Sequence, residues 1–215
     1  MKTTVKKFGT QRERTDSTRS KLLDAALAQF GERGLVDFNV SRVEALAGLG
    51  RAVARYHFHT SQALLHAALS TLVDFEVKGD RWGWGPLLHW MRDELGRTAD
   101  RDPRALAALQ LAVGPGVIPA FTQLREAYWR RRAGLVQQHL ANARRLGDLR
   151  GSVDLGQTSL LLLGQLHGEQ LRIVATGQEA TASFLDLLAY GLAKPGRKAK
   201  LGSGPIKSIE VGLGR

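Results

Sequence analysis

Apolar residues recur along this chain with the period of an α-helix, and no stretch of weight shows the two-residue alternation of a strand. Leu23, Leu27 and Phe30 mark one face of a first helix, with Leu22 and Ala26 beside them. Ser17 is a suitable N-cap and Gly34 is placed to end it. Residues 1–16, polar and rich in Lys, Arg and Thr, read as a flexible basic arm. Asn39 can cap a second helix running to Ala47, Gly48-Leu49-Gly50 breaks the chain, and a third short helix spans Arg51 to His57. Thr60 can cap a fourth, which carries Leu64, Leu65, Ala68, Leu69, Leu72 and Phe75. A short helix, a tight glycine-containing turn and another short helix make the helix-turn-helix pattern.

The same period continues beyond it. Gly79 to Pro86 is a break, and helices follow over 87–99 and 103–113, the second opened by Asp102-Pro103. Gly114-Pro115-Gly116 interrupts, a long helix runs from Pro119 to Leu146, and two more cover 154–176 and 179–193. The expected architecture is all-α with nine helices. A helix-turn-helix domain over 17–60 precedes a helical body over 61–193, and a basic tail of Gly, Pro, Lys and Ser closes the chain over 194–215.

Composition adds the kind of partner. The net charge of +11 is carried by the ends: residues 1–60 hold eleven Lys/Arg against six Asp/Glu, residues 194–215 six against one, and the stretch between fourteen against thirteen. Such ends suit a polyanion. There are no cysteines, so disulfides and thiolate metal sites are excluded. The basic start has no apolar run behind it and no stretch approaches about 18 apolar residues, so neither a signal peptide nor membrane contact is expected and a cytoplasmic location follows. Phosphate loop, nucleophile elbow and HExxH helix are all missing, and the Asp93-Glu94 pair reads as a solvated helix face, so no catalysis is expected. His57 and His59, with His66 nearby, fall where a helix ends, a poor frame for a metal; neither metal nor cofactor is expected.

Two stretches resemble the TetR family of bacterial transcriptional regulators. In the first, LLDAALAQFGERG leads through AGLGRAVARYHF into ALLHAAL, keeping Ala25-Ala26, Phe30, Gly34, Gly48 and Tyr56-His57-Phe58 in ungapped spacing. The second is ARRLGDLRGSVD followed by LLLGQLHGEQLRIVATG and LLAYGL. The resemblance implies a homodimer whose second and third helices read DNA. Four positions depart from the family's usual residues: Glu44 stands for a small residue, Gly50 for a capping serine, Arg55 for a tyrosine and Ser61 for a lysine. The last two positions usually touch phosphates.

On that geometry the third helix enters the major groove of an operator duplex. Arg51 is the residue expected to read bases, because a guanidinium bonds both acceptors of guanine, and Ala52 lies beside it. Arg55, Tyr56, His57, Ser41, Arg42 and Thr60 fall toward phosphates.

In the body, the penultimate helix is apolar on more than one face and must be covered on each. A two-fold pairing of the last two helices with a second copy does so, through Leu162, Gly164, Leu166, Gly168, Ile173, Phe184 and Leu188, and matches a palindromic operator. Trp82, Trp84, His89, Trp90, Phe121, Tyr128, Trp129, Gln165 and His167 supply the aromatic and polar groups of a small-molecule effector pocket. The expected function is a ligand-responsive regulator, a repressor bound to its operator as a homodimer. The departures at Glu44 and Ser61 leave a second expectation: a dimeric ligand- or partner-binding protein of the same fold whose DNA-binding head has degenerated.

Overall fold

The computed structural model describes residues 11–74, 82–114, 119–150, 153–178, 185 and 191–193. Among these it is all-helical: α1 (Gln11–Arg33), α2 (Val40–Leu46), α3 (Val53–Phe58), α4 (Ser61–Val73), α5 (Trp84–Ala99), α6 (Pro103–Val113), α7 (Pro119–Arg145) and α8 (Leu155–Thr176). The ninth helix expected over 179–193, with Phe184 and Leu188, lies outside the described residues except for Leu185 and 191–193, as do Phe75, the first ten residues and the tail. One isolated bridge pairs Leu149 with Ala193.

The helix starts follow their side chains. Asn39 Oδ1 accepts from Arg42 N at 3.2 Å, Thr60 Oγ1 from Ala63 N at 3.0 Å, and Asp102 and Asp154 from Ala105 N and Gln157 N, each at 2.8 Å. Two starts come earlier than the hydrophobic pattern placed them. α1 already includes Gln11, ahead of Ser17, so residues 11–16 belong to the helix and not to an arm. Every side chain there is exposed, which removes the apolar signal, while Thr15 and Thr18 bond back to the carbonyls of Gln11 and Arg14. Extending a helix already nucleated by its packed part costs little. α5 begins at Trp84, inside the expected break, because Pro86 sits in its first turn, where no N–H is needed.

Two apolar clusters hold the molecule. One joins α1–α4 to α6 and the first half of α7, and includes Leu22, Leu27, Phe30, Leu65, Leu69 and Phe121. The other joins α5, the second half of α7 and α8, around Leu87, Met91, Val136, Leu140, Leu163 and Leu166. Trp129 packs against both. Helix α1 lies directly on α6 at Gly31, where a Cβ would stand 2.7 Å from Ala107 N and 3.0 Å from both Leu106 Cβ and Pro103 O. Only glycine permits that approach. The α2–α3 head is thus carried on a helix seated in the body.

Candidate functional site

The chain turns from α2 into α3 over six residues. Gly48 takes φ +66°, and Leu49 N–H donates to Glu44 O at 2.9 Å. Helix α3 then starts two residues later than expected, at Val53, so Arg51 stands in the turn ahead of the helix rather than on it. Its N-cap is Ala52, not Gly50, with φ +70° and no side-chain cap of its own. That left-handed conformation costs an alanine roughly 1–2 kcal/mol. The missing cap is supplied from α2: Glu44 Oε1 accepts the Ala54 N–H at 2.9 Å, and Glu44 is only 5% exposed. The family departure at Glu44 therefore has a structural role.

This arrangement leaves a basic outer face. Ser41, Arg42, Arg51, Ala52, Arg55, Tyr56 and Thr60 are exposed, Tyr56 to 78%, and His57 is half-buried with its ring edge-on to Tyr56. Ala54 and Phe58 point inward, and the Arg19 guanidinium covers the Phe58 ring at 4.5 Å. A groove of about 280 Å³ runs between Arg55, His59, Thr60 and Ser61. No group of three potential metal ligands gathers among the described residues.

The body residues expected in a pocket separate into four places. His89 and Gln165 are exposed, His89 beside Asp93 at 3.4 Å and Gln165 on the outside of α8, so neither lines an interior. Phe121 is core, 6.4 Å from the His66 ring. The Trp82 ring lies 4.8 Å from that of His139 at a tilt of 51°, next to the start of α5; His139 Nδ1 lies 3.3 Å from Gly83 N, Asn142 holds Trp82 O, and Trp84 is buried in the apolar cluster with Leu87 and Met91. Burial lowers the His139 pKa, against the raising effect of its bond to Gly83.

Trp90, Tyr128, Trp129 and His167 do come together, around polar groups that the sequence reading passed over. Glu94, read as solvated, is 2% exposed; it pairs with Arg97 and, at 3.2 Å, with Arg132. The Arg132 guanidinium lies 5.2 Å from the Trp90 ring and 5.0 Å from Tyr128. His167 Nδ1 meets Gln170 Oε1 at 2.8 Å, and Gln170 Nε2 donates to Thr98 Oγ1 at 2.8 Å. Burial pushes the His167 pKa down to about 4. A signal for this cluster was present: Glu94 and Thr98 fall on the same stripe of α5 as Leu87, Met91 and Leu95, and His167 and Gln170 on that of Leu163, Leu166 and Ile173 in α8.

The dimer residues need a similar correction. Leu162, Leu166 and Ile173 are buried in the core of their own chain, whereas Leu160, Leu161, Gly164, Gln165, Gly168 and Leu171 form an exposed stripe.

A three-helix head with an exposed turn-and-helix, fixed on a longer helical body with a buried polar cluster, defines a helix-turn-helix protein of the two-domain, all-α class. Comparison with solved structures specifies it: the chain has the fold of TetR-family regulators. It superposes on TylP, a TetR regulator from Streptomyces fradiae, with TM-score 0.68 and 22% identity over 86% of this chain and 84% of that one. A TetR-family regulator from Agrobacterium tumefaciens gives 0.72 and 16% over 84% and 100%. SmeT, the repressor of the Stenotrophomonas maltophilia multidrug efflux pump SmeDEF, gives 0.63 and 21% over 85% and 93%. Over 65 residues the chain is 37% identical to the HTH-type transcriptional regulator CymR of Pseudomonas putida, a stretch covering 30% of this chain and 32% of that protein. No protein-family model matches the chain. No helix among the described residues is long and apolar enough to cross a membrane.

Proposed function

We propose that this chain is a DNA-binding transcriptional regulator that represses from a palindromic operator as a homodimer and is released by a small molecule held in its body. The carrying observation is the head: Arg42, Arg51 and Arg55 are all exposed around one tight turn, with the short helix α3 standing out behind it. A single helix fits the major groove, and clustered guanidinium groups bind phosphates and guanine edges. Glu44 no longer counts toward a degenerate head, because its carboxylate is turned inward to cap α3. Two copies pair through the exposed stripe of α8, which places two heads on the half-sites of a palindrome. Helices α5, α7 and α8 enclose the effector site, and an effector acts only by its difference in affinity between two arrangements of the heads.

The test is a selection of duplexes from a random pool, followed by protection of the selected sequence at physiological salt. A palindromic footprint is the expected result. Binding that fades there without sequence preference would sink the DNA reading.

A further inference from the structure

The hydrogen-bond chain between α5 and α8 has a fixed direction. Thr98 gives its one hydroxyl hydrogen to Glu94 O at 2.9 Å, so its oxygen can only accept, and Gln170 Nε2 supplies the donor at 2.8 Å. The other end of that amide, Oε1, can therefore only accept, and the group facing it at 2.8 Å is His167 Nδ1, which must carry the proton. A neutral imidazole has one N–H, so Nε2 is left as a bare lone pair. Nε2 has no partner, and His167 is 3% exposed. The imidazole stays neutral near pH 7 because burial holds its pKa to about 4. An acceptor so placed is costly without a donor.

Its surroundings give the rest of the chemistry. The Trp129 and Tyr128 rings stand 5.0 Å and 6.3 Å from the imidazole. Past Tyr128 lie Arg132 and Trp90, whose indole Nε1 is a second buried group without a partner. The positive charge of the Arg132 guanidinium acts against a second cation beside His167.

We infer that the interior between α5, α7 and α8 binds an uncharged aromatic or alicyclic compound whose hydroxyl or N–H group donates to Nε2 of His167. The inference rests on the sensor reading of the body and names the class of effector.

The experiment titrates the full chain with 2-naphthol, 2-methoxynaphthalene and 2-naphthylmethylammonium by calorimetry. 2-Naphthol should bind at least about tenfold more tightly than either of the others, and His167→Phe should erase its advantage over the methyl ether. In the unsubstituted protein, ¹⁵N spectra should show Nδ1 of His167 protonated and Nε2 bare, with the Nε2 signal moving when 2-naphthol is added. Equal affinity for naphthol and its ether, an advantage that survives in His167→Phe, a protonated Nε2, or no binding of any probe (water alone meeting the imidazole) each overturns the inference. The wider reading fails separately: naphthol bound through His167 with operator affinity unchanged leaves this site standing and removes the sensor role. Release by compounds that ignore His167 does the reverse.

Discussion

Glu44 organises both sides of the turn that presents the head: its carbonyl takes Leu49 N–H and its carboxylate takes Ala54 N–H. Glu44→Ala should lose ~1 kcal/mol of stability, the usual value of a helix cap, and speed hydrogen exchange at the Ala54 amide, while Glu44→Gln keeps an oxygen there and most of the effect. Exchange at Ala54 that is unchanged in Glu44→Ala would remove the cap. The two exposed arginines beside it should separate by experiment. Arg51→Ala should cost ~1–3 kcal/mol on the selected operator and relax preference at one base pair, whereas Arg55→Ala should weaken all duplexes alike and lower the salt slope by about one. Matching titrations of Arg51→Ala and the unsubstituted protein would take Arg51 out of base reading. The roles proposed for the two arginines were legible in the sequence, but the Glu44 cap was not. The sequence shows that Glu44 is unusual in its position, but its partner lies ten residues on, across a turn whose geometry depends on Ala52 adopting a conformation that alanine disfavours.

Elements were far more legible than their contacts. Caps at Asn39, Thr60 and Asp102 sit where the residues announced them, because a cap acts within four residues and is written locally. The polar start of α1 was missed because full exposure leaves no periodic signal. On α8 the sequence showed a helix apolar nearly all round without saying which side faces its own chain; packing against α5 and α7 decides that, turning Leu162 and Leu166 inward and Leu160 and Leu161 outward. Leu161→Lys should therefore shift the chain toward a monomer in light scattering at micromolar concentration with its helical content intact, since Leu161 is 67% exposed and holds up no core. An unchanged mass would exclude this face from the dimer. The α1–α6 seam makes the opposite prediction. Gly31→Val has no room against the backbone of α6 and should destabilise by ~1–3 kcal/mol, read as a lower urea midpoint. A midpoint equal to that of the parent would show that the seam can open at no cost.

Across the whole molecule, exposed and buried charges serve different ends. The basic excess expected from composition appears at the head, where Arg42, Arg51 and Arg55 meet solvent; the body buries Glu94 and Arg132 as a pair, and burial lowers the pKa of two of its histidines, His139 and His167. Those histidines make stability depend on acid. For His167 the folded pKa, about 4, lies below the ordinary value of 6.5, so between these values the unfolded chain binds the extra proton. Stability is then fully present above pH 6.5 and falls as the pH drops toward 4; His139, also lowered, acts in the same direction. The His167 contribution is on the order of 3 kcal/mol if the whole shift is realised. Urea midpoints taken at intervals from pH 7.5 down to about 4 should trace that loss, and His167→Phe, which has no proton to gain, should flatten most of it while leaving the smaller His139 slope. An acid limb of the same steepness in both proteins would mean that the imidazole is not held neutral, and with it would go the bare acceptor on which the effector's chemistry was built.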